Sequence, residues 1–538
     1  MPSPSFLKTR LWPARPKRPE RCLVRPERRG STALIVVFVF FAFAALGLGM
    51  VSLTQTYLKL SAYKKNALVL GYTAENGVKQ GLARVSASLA RARGPVLLSP
   101  ERMDSLKLDA LAGGGGAAEE AMGLTFPDRL EETSGDQIWA GATRCSLERF
   151  TDSGSYFIAE YRLVIESEGR LKNFAPAKAA ALDLAMKTAA GRIPLAFFPF
   201  LMSGTAGNGR MADLMASKKL EFLPSRLKDL APRALVTARS LIPQDPASML
   251  AEAAKIKFLR PGELNRAELR RALGLDMIDE PVPDGVYLMR SDSVPAGIFV
   301  QGDLDRLLLA IDDGWQHLDF QAGDSSWRLK FSPAAGRLEF RGPEVALSAD
   351  RVPLGMILVN GAIGALSAAE IGPDGNLTPV ADREIPCLLG GVSLTIVSAD
   401  EVTIGSHLLH EGVRWMDDVP YLKEQQSQLV IYASGRDLID GTERVGRILI
   451  GADAPPDLKI QASLTAAERF VVEGETKTVI VSGGLQTADL VLGDGRLRIA
   501  PDERITGNRL APAPGPTAAE PVLLILSVRP LTWTERQP

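Results

Sequence analysis

The feature that most constrains this chain is a long uncharged stretch near its N-terminus, with no Asp, Glu, Lys or Arg between Arg29 and Lys59. Its apolar part, residues 33–53, would be roughly 31 Å long as an α-helix, which matches the hydrocarbon core of a bilayer. This part contains no proline and four phenylalanines. Core helices of soluble proteins rarely run so far without a charge. We therefore predict a transmembrane helix from Ala33 to Leu53.

The charges on either side of the predicted span indicate its orientation. Nine Lys and Arg residues precede it against two Glu residues, whereas only Lys59, Lys64 and Lys65 follow it closely. The positive-inside rule then places the N-terminus in the cytoplasm and the rest of the chain outside. A secretory signal peptide would have a shorter apolar region and a small-residue cleavage site. We predict a single-pass anchor, with residues 1–30 as a basic cytoplasmic leader.

A helical pattern continues beyond the span. Apolar residues recur every three or four positions, which gives one apolar stripe along a helix. The stripe consists of Leu70, Ala74, Val78, Leu82, Val85 and Leu89, and Gly94-Pro95 ends it. Residues 31–93 are therefore predicted to form one helix that is first apolar and then amphipathic. Glycines at 71, 77 and 81 are each expected to weaken it by about 1 kcal/mol relative to alanine.

The start of this helix resembles that of type IV prepilin-like proteins. A basic leader ends in Arg29-Gly30, small residues follow from Ser31, and the apolar run begins with ALIVV. The later stretch AENGV at residues 74–78 resembles the Ala-Glu-x-Gly stretch of PilX-type minor pilins, and the K-type pseudopilins of type II secretion are also similar. The resemblance covers roughly residues 28–93. It implies cleavage by a prepilin peptidase between Gly30 and Ser31, and packing with other minor pilins or pseudopilins.

One position departs from the major pilins, which carry a glutamate at the fifth mature residue, where this chain has Ile35. PilX-like and K-type subunits can lack that glutamate, so the resemblance favours a minor or tip position. The leader is long and rich in proline and arginine, which is typical of a disordered arm. An uncleaved signal anchor is the alternative to processing.

Residues 94–280 are predicted to form a pilin-like α+β region. Residues 94–131 are interpreted as a poorly structured connection with a glycine run. Residues 137–147 and 155–169 are rich in aromatic and β-branched residues, and they predict two strands joined at 152–154. The alanine-rich residues 176–190 predict a helix, and residues 191–203 predict buried extended chain. Residues 214–273 predict mostly helix, most clearly at 265–273.

From about residue 281 the pattern changes to short apolar runs separated by Gly, Asp and Asn. The runs are 296–302, 355–361, 392–398, 402–404, 429–432, 448–450, 458–462 and 479–481. Short aliphatic strands with small turn residues favour a β-solenoid over residues 281–508. A β-sandwich is the alternative, since the repeat is irregular. Residues 509–538 predict a proline-rich linker and a last strand at 522–528. The predicted fold class is α+β, with the long transmembrane helix, a pilin-like head and a C-terminal β-solenoid.

The charge balance limits the partners that we expect. The chain has 62 basic and 63 acidic residues, and its one basic cluster is the leader. Nucleic-acid binding needs a clustered basic face, so we expect no nucleic-acid partner. Cys22 lies in the leader, and we predict that Cys145 and Cys387 are unpaired buried thiols in separate domains.

Few residues suggest chemistry. His407, His410 and Glu411 could suggest a metal site, but a zinc site usually has three or four ligands at recognised spacings, so we interpret them as a turn. Two acidic pairs are further candidates, Asp303 with Asp305 and Asp417 with Asp418. Paired aspartates can bind calcium or serve in a polysaccharide lyase, but aspartates at such positions are more often simply turn residues. No phosphate-binding or esterase signature is present. We predict no cofactor, no metal and no catalytic residue.

Three functions are compatible with these features. The first is a non-enzymatic minor pilin-like or pseudopilin-like component of a type IV filament or a type II secretion assembly in the bacterial inner membrane. The second is a membrane-anchored extracytoplasmic adhesin or carbohydrate-binding solenoid, for which Trp315, Trp327 and Trp415 are candidate contacts. The third is a polysaccharide-active enzyme with Asp303, Asp305 and Arg306 in a cleft. We favour the first.

Overall fold

The computed structural model describes most of the chain beyond the leader. The described residues are 31–91, 96–121, 130–194, 200–202, 213–223, 264–275, 280–289, 297–343, 345–350, 355–416, 418–421, 426–474, 476–502, 504, 518 and 520–536. The leader, including Gly30, lies outside them. By its internal contacts the chain divides into two units, residues 1–69 and residues 70–538.

A single long helix begins the described chain, as predicted. The helices are α1 (Ser31–Arg91), α2 (Pro100–Leu111), α3 (Gly116–Ala121) and α4 (Arg266–Ala272). Helix α1 contributes residues 31–69 to the first unit, where the side chains from Ile35 to Lys65 are exposed. Its remaining residues belong to the second unit.

The second unit contains an antiparallel sheet of six strands. They are β1 (Val96–Leu97), β2 (Leu130–Ser134), β3 (Gln137–Asp152), β4 (Tyr156–Leu171), β5 (Phe174–Gly191) and, at the C-terminus, β30 (Val522–Arg536). Their order is β1-β30-β5-β4-β3-β2. The predicted strand pair is confirmed as β3 and β4, and the predicted last strand is confirmed as part of β30. Because β30 pairs with β5, the long segment between these two strands is an insertion into the sheet.

The predicted apolar stripe of α1 packs on this sheet. Leu70, Ala74, Val78, Leu82 and Val85 are all buried, and the last four share a core cluster with Tyr161 and Leu163 of β4. The glycines allow this contact to be close. A Cβ at Gly77 would lie 2.0 Å from Ser167 Oγ, and a Cβ at Gly81 would lie 2.6 Å from Ile165 Cγ2. The glycines that weaken the isolated helix therefore fit it to the sheet.

Two predictions for the head are wrong. Residues 176–190 form strand β5, which pairs along its length with β4 on one side and β30 on the other. Alanine is the best helix former, but intrinsic propensities differ by only about 1 kcal/mol per residue or less, and pairing and burial in a central strand override them. Residues 94–131 were predicted to be irregular, yet they contain α2, in which Ser99 accepts a hydrogen bond from the Arg102 amide and Leu106 is buried.

The inserted segment is mostly β. Its strands before residue 360 are β6 (Phe200–Met202), β7 (Leu220–Phe222), β8 (Gly285–Met289), β9 (Gly297–Gln301), β10 (Arg306–Asp312), β11 (Trp315–Ala322), β12 (Ser325–Ser332), β13 (Arg337–Arg341), β14 (Ala346–Asp350) and β15 (Met356–Asn360). The next are β16 (Ile363–Ile371), β17 (Leu377–Pro379), β18 (Pro386–Leu388), β19 (Ser393–Ser398), β20 (Val402–Ile404), β21 (Leu409–His410), β22 (Arg414–Met416) and β23 (Val419–Tyr421). The last are β24 (Gln428–Ala433), β25 (Arg447–Ile450), β26 (Asp457–Ile460), β27 (Ser463–Val472), β28 (Thr478–Val491) and β29 (Arg496–Pro501).

Most strands of the insertion form parallel ladders in three series. The first series runs β9, β15, β19, β24, β27, β28 and β6, and it aligns Ile298, Ile357, Ile396, Ile431, Leu464 and Leu485. The second aligns Leu307, Leu366, Ile404, Ile450 and Val472. The third aligns Ile460, Val481, Ile499 and Phe222. These residues line one core. Aliphatic runs without strict alternation are typical of such buried parallel strands.

Other parts of the insertion differ from the ladders. Strands β10 to β14 form an antiparallel meander that the sequence did not indicate. The predicted helix at 265–273 is confirmed as α4, with Asn265 accepting a hydrogen bond from the Glu268 amide at 3.1 Å. Residues 220–222 are strand, not helix. The predictions for residues 195–199 and 224–263 fall outside the described residues.

Candidate functional site

The first half of α1 presents a large apolar surface. Phe38, Phe40, Phe41 and Phe43 are each at least 70% exposed. Among the described residues, α1 is the one helix long and apolar enough to cross a membrane. Its most apolar 18-residue window has a mean hydropathy of 2.5, and no part of that window is buried. Such a helix is suited to a membrane anchor or a signal sequence.

Two threonine hydroxyls at the end of this surface bond to the preceding turn of the helix. Thr54 Oγ1 donates to the carbonyl of Met50 at 2.7 Å, and Thr56 Oγ1 donates to the carbonyl of Ser52 at 2.9 Å. Hydroxyls that bond to the preceding turn need no water.

The predicted processing residues can be placed only in part. Gly30 lies outside the described residues, and Ser31 is the first residue of α1. Ile35 is exposed on the same apolar surface. Ser31 is also the first residue that the structure describes.

The turn interpretation is wrong for His410, which lies in strand β21, and the two histidines have separate environments. His407 Nδ1 accepts a hydrogen bond from the Lys459 amide at 3.1 Å, and burial lowers the pKa of this imidazole. His410 is almost fully buried, and burial lowers its pKa to about 3. Glu411 Oε2 accepts a hydrogen bond from the Gly390 amide. Within the described ranges, no three His, Cys, Asp or Glu side chains lie together as a metal site would require.

The aspartates of the acidic pairs contact other segments of the chain. Asp303 Oδ1 accepts a hydrogen bond from the Ala362 amide at 2.8 Å, and Asp305 Oδ2 accepts one from the Gly323 amide at 2.7 Å. Asp418 pairs with Arg498, and Asp417 lies outside the described residues. Asp303, Asp305 and Asp418 therefore each have a partner within the protein.

The three candidate tryptophans are all partly buried. Trp327 packs against the main core of the insertion, and Trp415 packs beside Ile480 and Ala500. The ring of Trp315 has Lys330 Nζ 4.8 Å from its centroid. No disulfide joins Cys145 to Cys387, and of these two residues only Cys387 is fully buried.

Buried polar residues of the insertion escaped the sequence reasoning. Gln316 is fully buried, and its Nε2 donates to the carbonyls of Ala310 and Cys387 at 3.0 and 2.8 Å. Its Oε1 accepts a hydrogen bond from the Leu389 amide at 2.8 Å. Its partners lie up to 73 residues away in the sequence, so no local pattern could have indicated them.

The chain was compared with models of protein families, with curated proteins and with solved structures, and none of them matched.

Proposed function

We propose that this protein is a non-enzymatic, minor pilin-like or pseudopilin-like component of a type IV filament or a type II secretion assembly. In this proposal the N-terminus faces the bacterial cytoplasm, α1 crosses the inner membrane, and the rest lies in the periplasm or on a filament. The partners are the membrane, a prepilin peptidase and other minor pilins or pseudopilins.

The observation that carries the proposal is the difference in exposure between the two halves of α1. Residues from Ile35 to Leu58 expose apolar side chains, whereas Ala74, Val78, Leu82 and Val85 are buried against an antiparallel sheet. A soluble protein would not expose so large an apolar surface, because patches of this kind mark membrane or protein contacts. One helix that is first lipophilic and then packed on a sheet is what an anchored, assembling subunit requires.

We further propose that the insertion between β5 and β30 is a β-solenoid displayed by the head. The three parallel series support this, because each aligns aliphatic residues from one turn of the chain to the next. Stacked turns of this kind bury one continuous core. The solenoid would stand on the sheet through two connections, one after β5 and one before β30.

The mechanism in this proposal is assembly. A prepilin peptidase would cut between Gly30 and Ser31 and release the basic leader. The mature helix would then begin at Ser31, with the uncharged Ile35 at its fifth residue. An uncharged side chain there needs no partner within the membrane, which suits a subunit at a tip or at a point of initiation.

Processing is tested by expressing the Gly30→Leu variant in the native host and measuring the mass of the membrane-bound protein. We expect the variant to keep its leader and the native protein to lose it. Gly47→Leu is the matched control, because a Cβ at Gly47 would have no atom within 4 Å and the variant should be processed normally. Identical masses for Gly30→Leu and the native protein would contradict the proposal.

Assembly is tested separately with Ile35→Glu. A carboxylate placed in the apolar surface is costly in a bilayer unless it finds a partner. We expect less variant protein in sheared filament or secretion-assembly fractions, while Ile35→Leu behaves as the native protein. Equal amounts for both variants would argue against a role for this position.

A membrane-anchored adhesin or carbohydrate-binding protein is the second candidate. It is favoured by Trp315, the one of the three tryptophans that belongs to no core cluster, beside the Lys330–Glu339 ion pair at 3.0 Å. A polysaccharide-active enzyme on the same insertion is the third. Binding to a glycan array that is lost in Trp315→Ala would favour the second candidate, and glycan cleavage would favour the third.

A further inference from the structure

A group of buried polar side chains lies near the point where the chain leaves the parallel strands towards β30. His410, Gln461 and Ser482 are 4%, 1% and 5% exposed. Gln461 directly follows β26 and Ser482 lies in β28, two paired strands of the third series, whereas His410 is the last residue of β21. Leu408 forms a bridge to Ile460, and Ile460 is paired with Val481, so Gln461 and Ser482 occupy the next position on adjacent strands. Adjacent strands are about 4.8 Å apart.

One direct hydrogen bond links two members of this group. The backbone amide of His410 donates to Gln461 Oε1 at 2.6 Å. Four other polar atoms are buried and have no hydrogen-bond partner among the described residues. They are both ring nitrogens of His410, Nε2 of Gln461 and Oγ of Ser482.

An ion pair lies beside the histidine. Arg504 Nη2 is 2.6 Å from Asp502 Oδ2, and both side chains are buried. Arg504 acts to lower the pKa of His410 and Asp502 acts to raise it, but burial is the larger cause and keeps the ring neutral. A neutral imidazole has one donor and one acceptor.

The chemistry of these atoms defines what can fill the site. A buried polar group without a hydrogen-bond partner destabilises the folded state, and four such atoms together would destabilise it strongly. Gln461 Nε2 offers donors, whereas Ser482 and His410 offer both a donor and an acceptor. The bound molecule must therefore both donate and accept hydrogen bonds. It need not carry a charge, because the Asp502–Arg504 ion pair is neutral overall. Water meets these requirements in a polar site.

We infer that His410, Gln461 and Ser482 form a buried hydration site, in which ordered water bridges three segments of the insertion beside the Asp502–Arg504 pair. The water joins segments that lie 21 to 72 residues apart in the sequence. This site lies beside Asp502 and Arg504, which follow β29. It does not depend on the proposed function.

The first test uses Ser482→Ala, which removes one oxygen atom. If water bonds to this hydroxyl, the variant leaves that water short of a partner, and the melting temperature of the full chain in detergent should fall. If no water bonds to the hydroxyl, its removal should raise the melting temperature or leave it unchanged. That result would overturn the inference. Ser427→Ala is the matched control. Ser427 Oγ donates to the Leu389 carbonyl at 2.8 Å and accepts from the Gly391 amide at 2.9 Å, so its loss should lower the melting temperature in either case.

The second test needs no variant in the site. The chain has three histidines, so ¹⁵N-imidazole labelling gives three ring systems that single substitutions can assign. We expect a slowly exchanging ring N–H of His410 with a magnetisation-transfer contact to water. His407, whose Nδ1 accepts from the Lys459 amide, serves as the internal reference and should carry its proton on Nε2. A protected His410 N–H without any water contact would overturn the inference.

Discussion

The fit between α1 and the sheet can be tested at Gly77. Alanine there gains about 1 kcal/mol in helix propensity. However, the new Cβ would lie 2.0 Å from Ser167 Oγ and 2.9 Å from both Ser167 Cβ and Trp139 Cε3. The hydroxyl can rotate away, but Ser167 Cβ and the Trp139 ring cannot move without shifting the sheet. Such overpacking costs about 1–3 kcal/mol. We therefore expect Gly77→Ala to destabilise the contact by about 1 kcal/mol net.

Gly71 provides the matched control on the same helix. A Cβ at Gly71 would meet only the Lys178 side chain, with Nζ at 3.6 Å. Gly71→Ala should therefore stabilise the helix by about 1 kcal/mol. The assay is hydrogen exchange of the peptides that cover residues 70–91, which reports local opening free energies without requiring the whole chain to unfold in one step.

Ser167 supplies a further check. Its Oγ is buried without a hydrogen-bond partner within the described part of the chain. Ser167→Ala should therefore be neutral or stabilising. In the double variant it should also recover part of the loss caused by Gly77→Ala. Equal stabilisation by Gly71→Ala and Gly77→Ala would refute the reasoning.

Three further predictions concern other parts of the second unit. Gln316→Leu should lower stability by about 2–4 kcal/mol, because the Leu389 amide and the carbonyls of Ala310 and Cys387 each lose a buried hydrogen bond. Denaturant unfolding measures the loss, and Gln321→Leu, at a partly exposed site, should cost less. Removal of residues 518–538 should make the six-stranded sheet sensitive to protease, because β5 and β1 lose their neighbour, whereas removal of 537–538 should not. Burial acts to raise the pKa of Asp437, but hydrogen bonds from the Ile439 and Asp440 amides and from Arg444 outweigh it and lower that pKa. The carboxylate therefore contributes stability above the usual aspartate pKa of about 3.9, and this is lost as the pH falls through the lower folded value. The hydrogen-exchange protection of residues 437–444 should fall in acid, and the Asp437→Asn variant should show a weaker dependence of this protection on pH.

The parts of the fold that were predictable have strong local patterns. Helix α1 follows from its uncharged run and from the spacing of Leu70, Ala74, Val78 and Leu82. The strands around Ile298, Ile357 and Ile396 follow from aliphatic runs bounded by glycine and polar residues. Helix α4 follows from the helical pattern of residues 265–273. In each case the secondary structure that the local sequence favours is the one that buries its apolar side chains in the fold.

The parts that were missed depend on contacts distant in sequence. Alanines 179–181 and 189–190 in β5 have no strand preference, and only pairing with β4 and β30 makes them strand. The return of β30 to β5 joins segments more than 300 residues apart, for which no local signal exists. In the same way, the contacts of Asp303 and His407 depend on Ala362 and Lys459, so spacing alone left metal and turn interpretations open.

The central claim is that α1 is the mature N-terminal helix of an assembling subunit. The most direct measurement is the N-terminal sequence of the protein isolated from the membranes of its native host. The account predicts that this sequence starts at Ser31. A sequence that starts at Met1 would contradict prepilin processing and leave an uncleaved anchor, with the adhesin and enzyme alternatives to be tested next.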